Sequence, residues 1–148
     1  MDAGELHAAV ADRLAEISYR YTKGRRDLVE VLARSPRPLS IPEIVRKKRS
    51  LPQSSVYRNL ATLEEARAVR RLPGPDEFAR YELSEALSEH HHHLVCTNCG
   101  EVVDYSVPPG LEKTLAKAER DIARSTGFRP QHHELDFLGL CSPCAAGG

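Results

Sequence analysis

The sequence lacks any apolar run that could cross a membrane, and it lacks net charge. No run approaches the roughly 18 residues needed to span a bilayer. The acidic residues 1–5 do not match a secretory signal, so we expect a cytoplasmic protein without a membrane partner. The 21 basic side chains equal the 21 acidic ones, which at first argues against nucleic acid as a partner.

The charge is nevertheless distributed unevenly along the chain. Residues 1–80 hold 16 basic and 11 acidic side chains, whereas residues 81–148 hold 5 and 10. A basic half joined to an acidic half is typical of a polyanion-binding module beside a second unit. Two solvated surfaces of opposite sign would give the same counts, so charge alone leaves both interpretations open.

The hydrophobic pattern changes near residue 84 and predicts two domains, 1–84 and 85–148. In the first, apolar spacing predicts helices at about 6–18, 25–34, 41–48 and 53–68. Ser40 and Glu43 form a capping-box pattern at the start of the third helix. Strands are expected at 69–72 and 78–83, around a turn at 73–76. Helices followed by a hairpin indicate a winged-helix domain, whose fourth helix would enter the major groove.

The second half predicts short strands around one helix. Strand cores are expected at 94–95, 102–103 and 134–138, and a helix at 111–126 after a chain break at 108–110. The predicted fold class is therefore α+β: a DNA-binding winged helix followed by a small α/β domain.

All the cysteines lie in the second half, as two Cys-x-x-Cys pairs: Cys96, Cys99, Cys141 and Cys144. In a reducing compartment such pairs favour metal over disulfides, and zinc prefers four tetrahedral thiolates. A closed thiolate shell leaves no position for catalysis, which indicates structural zinc. A redox dithiol or free buried cysteines are the alternatives.

Four consecutive histidines, residues 90–93, precede the first cysteine pair. In an extended segment the side chains alternate, so His90 and His92 would face one way and His91 and His93 the other. Further candidate ligands are Glu82, Asp104, Glu112, His132 and His133. Mixed imidazole and carboxylate ligation suits zinc, ferrous iron, manganese or nickel. A solvated polar loop is the alternative.

Two stretches resemble signatures of the ferric uptake regulator family. Residues 54–60, Ser-Ser-Val-Tyr-Arg-Asn-Leu, resemble its recognition helix, and residues 90–100 resemble its metal-binding signature. Residues 133–144 also match, so the resemblance covers about residues 10 to 144. It implies a homodimer that binds operator DNA when metal is bound, usually as a repressor.

The resemblance also implies three metal sites. A structural zinc would take the cysteines, and an additional site would take His90, His92, Glu112 and His133. A regulatory site at the domain hinge would take Glu82, His91 and His93. Asp104 occupies a position that is a ligand in the peroxide-sensing branch, so it is assigned to the same site. The regulatory metal is expected to be zinc or ferrous iron, with manganese possible.

Three family positions depart from the pattern. Iron and peroxide sensors usually supply a histidine just before the third helix, where this chain has Arg37-Pro38. Zinc sensors often supply a cysteine shortly before the histidine run, where residues 84–87 hold none, and an aspartate after the recognition helix, where the chain has Arg70. The residue that completes the hinge site from the DNA-binding half therefore stays open.

Several polar residues are candidate DNA contacts. Tyr57 and Arg58 lie near the start of the fourth helix, where side chains reach bases and phosphates. Core packing is the alternative for Tyr57. The remaining candidates are Ser54, Ser55, Thr62, Lys23 and Arg25.

Two other functions compete with a regulator. A zinc hydrolase or deaminase could use the histidine site, but no His-x-Glu precedes the cysteines as deaminases require. A metal-buffering protein would have no need of a basic helix carrying Tyr57 and Arg58. The sequence thus favours a regulator that is not an enzyme.

Overall fold

The computed structural model describes residues 1–73 and 78–147, and most of the turn predicted at 73–76 lies outside them. The first half folds as four helices and a small antiparallel sheet of order β1-β3-β2. The helices are α1 (Ala3–Glu16), α2 (Lys23–Ala33), α3 (Ile41–Lys47) and α4 (Gln53–Glu65). The strands are β1 (Leu39–Ser40), β2 (Val69–Leu72) and β3 (Arg80–Leu83).

The core of this half comes from one apolar stripe on each helix. On α1 the buried residues Leu6, Val10 and Leu14 recur every four positions. Helix α4 likewise buries Val56, Leu60 and Leu63 and leaves its other faces toward solvent. The sequence periodicity therefore fixes which face of α4 remains free for a partner.

Local signals position the start of α3 and the packing of α2. The Ser40 side chain accepts a bond from the Glu43 backbone, and the Glu43 carboxylate accepts one from the Ser40 backbone. This reciprocal pair satisfies two N–H groups at the helix start. At Gly24, an added Cβ would lie 3.1 Å from the Asn59 amide, so this glycine lets α2 approach α4 closely.

The second half is a three-stranded sheet of order β5-β4-β6. Its elements, after a 3₁₀ helix at Glu85–Leu87, are β4 (His92–Cys96), β5 (Val102–Tyr105), α5 (Pro109–Thr126), β6 (Asp136–Gly139) and α6 (Ser142–Ala146). Strand β5 is antiparallel to β4, while β6 is parallel to it. The parallel pairing brings the segment before β6 beside the histidine run, because His93 is opposite Asp136.

The α+β class is confirmed, and several boundaries differ from those predicted. The break expected at 108–110 is wrong: α5 begins at Pro109, because proline is tolerated in a first helical turn. The helix ends as predicted, with Gly127 in the left-handed region at φ 74°. Strand β1 and helix α6 were not predicted. Among the described residues, no helix is both long and apolar enough to be a membrane span.

Candidate metal centres and DNA-binding helix

Three groups of potential metal ligands form on the second sheet and its borders. In each, the nearest donor atoms lie within 4.8 Å of one another. The groups are a thiolate cluster (Cys96, Cys99, Cys141, Cys144), a hinge cluster (Glu82, His91, His93, Asp104) and a histidine cluster (His90, His92, Glu112, His133). The structure thus brings together the residues assigned to each site from the sequence, while His132 lies outside all three.

The thiolate cluster joins the β4–β5 turn to the start of α6. The Sγ atoms of Cys99 and Cys141 are 3.7 Å apart, and all the cysteines are free. Zinc–sulfur bonds of 2.3 Å in a tetrahedron would place neighbouring sulfurs about 3.8 Å apart, so the spacing fits zinc. The backbone N–H of Cys141 donates to Cys96 Sγ at 3.3 Å and helps lower the pKa of Cys96 to about 6. Cys96 is therefore prepared to bind as a thiolate, whereas hydrogen bonds with the neighbouring thiols raise the pKa of Cys99 and of Cys141.

The hinge cluster combines one residue of the first sheet with three of the second half: His91 just before β4, His93 on β4 and Asp104 on β5. Glu82 lies on β3, and its Oε2 is 3.0 Å from His91 Nε2 and 3.1 Å from His93 Nε2. Asp104, on β5, places Oδ1 at 3.8 and 3.9 Å from the same two nitrogens. The donors therefore converge on one point from both halves of the chain.

Asp104 shows that this cluster suits a cation. Its Oδ1 is buried without a hydrogen-bond partner among the described residues, and an unpaired buried oxygen is costly. Burial also raises the pKa of Asp104. Ligands around one metal at 2.1 Å are separated by roughly 3–3.5 Å, so a small contraction would satisfy this oxygen.

The hinge charges are strongly coupled in the absence of metal. Burial would raise the pKa of Glu82, but hydrogen bonds from His91, His93 and Arg70 hold it well below its usual range. Bonding to Glu82 in turn raises the pKa of His91 to about 9. A metal would take the place of this proton on the imidazole.

The histidine cluster lies on the opposite side of the histidine run. His92 Nε2 is 2.6 Å from Glu112 Oε1, and His90 Nε2 is 3.2 Å from His133 Nε2. Burial lowers the pKa of His90, and bonding to His92 lowers that of Glu112. Imidazoles beside a carboxylate form a donor set for a divalent metal.

Carboxylates behind the ligands hold the imidazole rings in place, and sequence reasoning missed them. Glu85 contacts His90 Nδ1, Glu119 lies 2.8 Å from His133 Nδ1, and Asp136 lies 3.2 Å from His93 Nδ1. Each turns the opposite ring nitrogen toward its cluster, as such residues do around bound metals. Glu119 and Asp136 approach from α5 and β6, so no local signal marks them, whereas Glu85 lies only five residues before His90.

The two arginines at the departing family positions are both engaged. Arg37 Nη2 donates to Glu43 Oε1 at 2.6 Å. Arg70 donates through Nε to Glu82 Oε1 at 3.0 Å and through Nη1 to Glu134 Oε1 at 2.6 Å. The DNA-binding half therefore contributes Glu82 as a donor to the hinge cluster, with Arg70 beside it.

Helix α4 presents the predicted DNA contacts on its free face. Tyr57 is 53% exposed, which rules out the core-packing alternative, and Arg58 and Ser54 are also exposed. Ser55 and Thr62 are half-buried, and Thr62 donates to the Arg58 carbonyl at 3.1 Å. This side of α4 is polar and accessible.

The two basic candidates on α2 lie at its first turn. Lys23 is exposed and pairs with Asp27 at 2.8 Å, while Arg25 is half-buried with its guanidinium 5.2 Å from the centre of the Tyr19 ring. The close approach at Gly24 places this turn beside α4. The candidates on α2 therefore lie next to the helix that carries the other candidates.

Comparison with known proteins agrees with this architecture. The ferric uptake regulator family model matches residues 16–138. The peroxide operon regulator of Bacillus subtilis is 31% identical over 149 residues, covering 98% of this chain and 97% of that protein. The ferric uptake regulation protein of the same organism is 31% identical over 141 residues, covering 91% of each.

A solved structure shows the same fold. The Helicobacter pylori ferric uptake regulator Fur, described as having three functional metal binding sites, matches with a TM-score of 0.73 at 26% identity. The match covers 98% of this chain and 95% of that one. The chain belongs to the ferric uptake regulator family of metal-sensing transcriptional repressors.

Proposed function

We propose that this chain represses transcription when a divalent metal binds the hinge cluster. The observation that carries the proposal is that Glu82 belongs to the sheet of the winged helix, whereas His93 and Asp104 belong to the second sheet and His91 directly precedes it. A metal held by all four favours one orientation of the two halves. Since a ligand shifts only the equilibrium between states it binds unequally, the metal selects this closed state.

The three clusters take different parts in this scheme. The thiolate cluster holds structural zinc, and its closed shell leaves it no sensing role. The hinge cluster offers two imidazoles and two carboxylates, a set that suits zinc, ferrous iron or manganese. The histidine cluster is the additional site. Three clusters also match in number the three metal sites described for the Helicobacter pylori protein.

We propose that the chain divides at residue 84 into two domains, 1–84 and 85–148, and that it dimerises through the second domain. Helix α5 has no buried residue, although Leu111 and Ile122 give it an apolar face. One face of the sheet exposes Leu94, Val103 and Phe137 around a groove of about 510 Å³. A second copy would cover this apolar surface, as contiguous exposed patches of this kind indicate.

The dimer would present two α4 helices to operator DNA. Tyr57 and Arg58 would reach base edges and phosphates, with Ser54, Ser55 and Thr62 beside them and Lys23 and Arg25 on the flanking phosphates. We propose a cytoplasmic location, where the thiols remain reduced, and no catalytic turnover at any cluster.

The test compares the His91→Ala/His93→Ala double variant with His132→Ala, whose imidazole is exposed and outside the clusters. The DNA is a duplex selected from a random pool for binding to the manganese-loaded protein. Fluorescence anisotropy then measures how tightly each variant binds this duplex with manganese and with chelator. Wild type and His132→Ala should bind at least tenfold more tightly with metal, and the double variant equally under both conditions. A double variant that still responds to metal removes the hinge cluster from the mechanism.

The same experiment separates the competing functions. Metal binding by wild type without selection of any DNA sequence would support a metal-buffering protein. Metal-dependent turnover of an ester or nucleobase substrate would support an enzyme.

A further inference from the structure

Arg70 connects three parts of the molecule around the hinge cluster. It lies on β2, and its guanidinium bonds Glu82 of the neighbouring strand β3 at 3.0 Å. The same group reaches out of the first sheet to Glu134 at 2.6 Å. Glu134 follows the ligand His133 and precedes Asp136, which holds His93. One cation therefore links the winged helix to the segment that supports both histidine-containing clusters.

The two oxygens of Glu82 are divided between different partners. Oε2 faces the imidazoles of His91 and His93, while Oε1 accepts from Arg70. A metal that binds through Oε2 leaves the Arg70 contact in place. The Arg70–Glu82 contact can therefore form in both the metal-free and the metal-bound protein. A metal ligand, by contrast, links the two halves only when metal is present.

We propose that Arg70 is a fixed cation that ties the two halves together without metal and weakens metal binding at Glu82. This inference rests on the proposed function of the hinge cluster and adds its regulation. The tie raises the population of the closed state in the metal-free protein. The positive charge opposes a second cation nearby, so Arg70 sets the metal concentration at which the hinge fills.

The size of the charge effect follows from Coulomb's law. A guanidinium on Oε1 would lie roughly 6 Å from a divalent ion on Oε2, and in a water-like dielectric this repulsion weakens binding about tenfold. The ion pair between Arg70 and Glu134, which forms the tie, has a smaller effect because Glu134 is 55% exposed. Such a pair changes the population of the closed state about two- to fivefold. The two effects are separable, since Glu134 can be neutralised while the charge of Arg70 stays on Glu82.

The test uses the full chain with its zinc retained, in a Glu112→Ala background that disables the histidine cluster. Electron paramagnetic resonance of free Mn²⁺ gives the hinge affinity. Nitrogen-15 relaxation of the metal-free protein shows whether the two halves tumble as one body. Arg70→Gln should bind Mn²⁺ about two- to fivefold more tightly, because losing the tie offsets part of the tenfold gain from removing the charge. Its halves should tumble more independently than in wild type.

Two further variants separate charge from tie. Glu134→Gln should loosen the halves in the same way but should bind Mn²⁺ no more tightly than wild type. Arg71→Gln, which removes an exposed arginine one residue along β2, should match wild type in both measurements. Weaker or unchanged Mn²⁺ binding by Arg70→Gln, or joint tumbling in both Arg70→Gln and Glu134→Gln, overturns the proposal. If wild type binds no Mn²⁺, the proposed hinge function fails, while the tumbling data still decide the tie.

Discussion

Removing zinc from the thiolate cluster should release β6 and α6 while the winged helix stays folded. Strand β6 is held to β4 by one set of parallel backbone bonds, and its side chains remain exposed. Leu138, for example, is 71% exposed. At the last residue of the strand, the Gly139 carbonyl accepts from the Thr97 N–H at 2.8 Å, close in sequence to Cys96 and Cys141. The C-terminal segment therefore depends on the cluster more than on a core.

The magnitudes favour the same conclusion. Ordering the four residues of β6 costs about 4–8 kcal/mol in backbone entropy. Half-buried Phe137 and mostly exposed Leu138 return about 1 kcal/mol each or less. Four-ligand zinc sites contribute roughly 10–16 kcal/mol to folding at neutral pH. Dimerisation would add burial on the same sheet, so zinc loss and dissociation should occur together.

Hydrogen exchange measured by mass spectrometry can test this. After zinc is removed with a chelator under reducing conditions, peptides covering 134–147 should lose at least 100-fold in protection. Peptides from α2 and α4 should change by no more than a few-fold. Cys99→Ser should behave like the zinc-free protein. Asn98→Ala, which removes only a donor 3.3 Å from Cys144 Sγ, should keep zinc and protection. Protection of β6 in verified zinc-free protein would refute the reasoning.

Three further predictions concern pH and DNA. Because the pKa of His91 is raised to about 9, its proton stabilises the metal-free fold fully below about pH 6.5, and this is lost as pH rises through 9. After a discount for partial exposure, this proton contributes about 1 kcal/mol to the free energy of unfolding. The Tm of the wild type should therefore fall a few degrees between pH 7 and 9.5, whereas that of His91→Gln should not. The pKa of Glu43 is about 2, because the hydrogen bonds it accepts outweigh the effect of burial. Its carboxylate therefore stabilises the fold fully above about pH 4.5, and this stabilisation is lost as pH falls through 2. Glu43→Gln should cost about 1 kcal/mol at pH 7 by thermal unfolding and remove this acid dependence, whereas exposed Glu16→Gln should do neither. Arg58→Ala should reduce the salt slope of DNA binding by about 1, measured by anisotropy, whereas Lys113→Ala on α5 should leave it unchanged.

The parts of the fold with local signals were predictable from the sequence. The capping pair at Ser40 and Glu43 marked the start of α3, and the four-residue spacing on α1 gave its buried face. Strand β1 has two residues and exists only through pairing with β3, some 40 positions away, so no local pattern announces it. Helix α6 is one short turn after Cys141 and lacks the length for an apolar periodicity.

The donor sets divide in the same way. The two-residue repeat of an extended strand separates His90 and His92 from His91 and His93, and this needs no tertiary information. Their carboxylate supports approach from other elements: Asp136 through parallel pairing with β4, and Glu119 from α5. The role of Arg70 is equally invisible, because Glu134 is 64 positions away in sequence. The ligands could therefore be predicted from residue type, whereas the orientation of their rings and the charges around them could be seen only in the fold.

The placement of Glu82 explains how one ligand from the winged helix can be sufficient. It lies on β3, the central strand of its sheet, which pairs with β1 before α3 and with β2 after α4. A force on Glu82 therefore moves the sheet as a unit, unlike a force on a loop residue. A 100-fold change in DNA affinity requires the metal to prefer the closed state by about 2.7 kcal/mol. Losing one of four ligands on opening supplies this, since even outer-shell partners change metal affinity 10- to 100-fold. A second ligand from the DNA-binding half is then unnecessary, and an arginine can occupy its place.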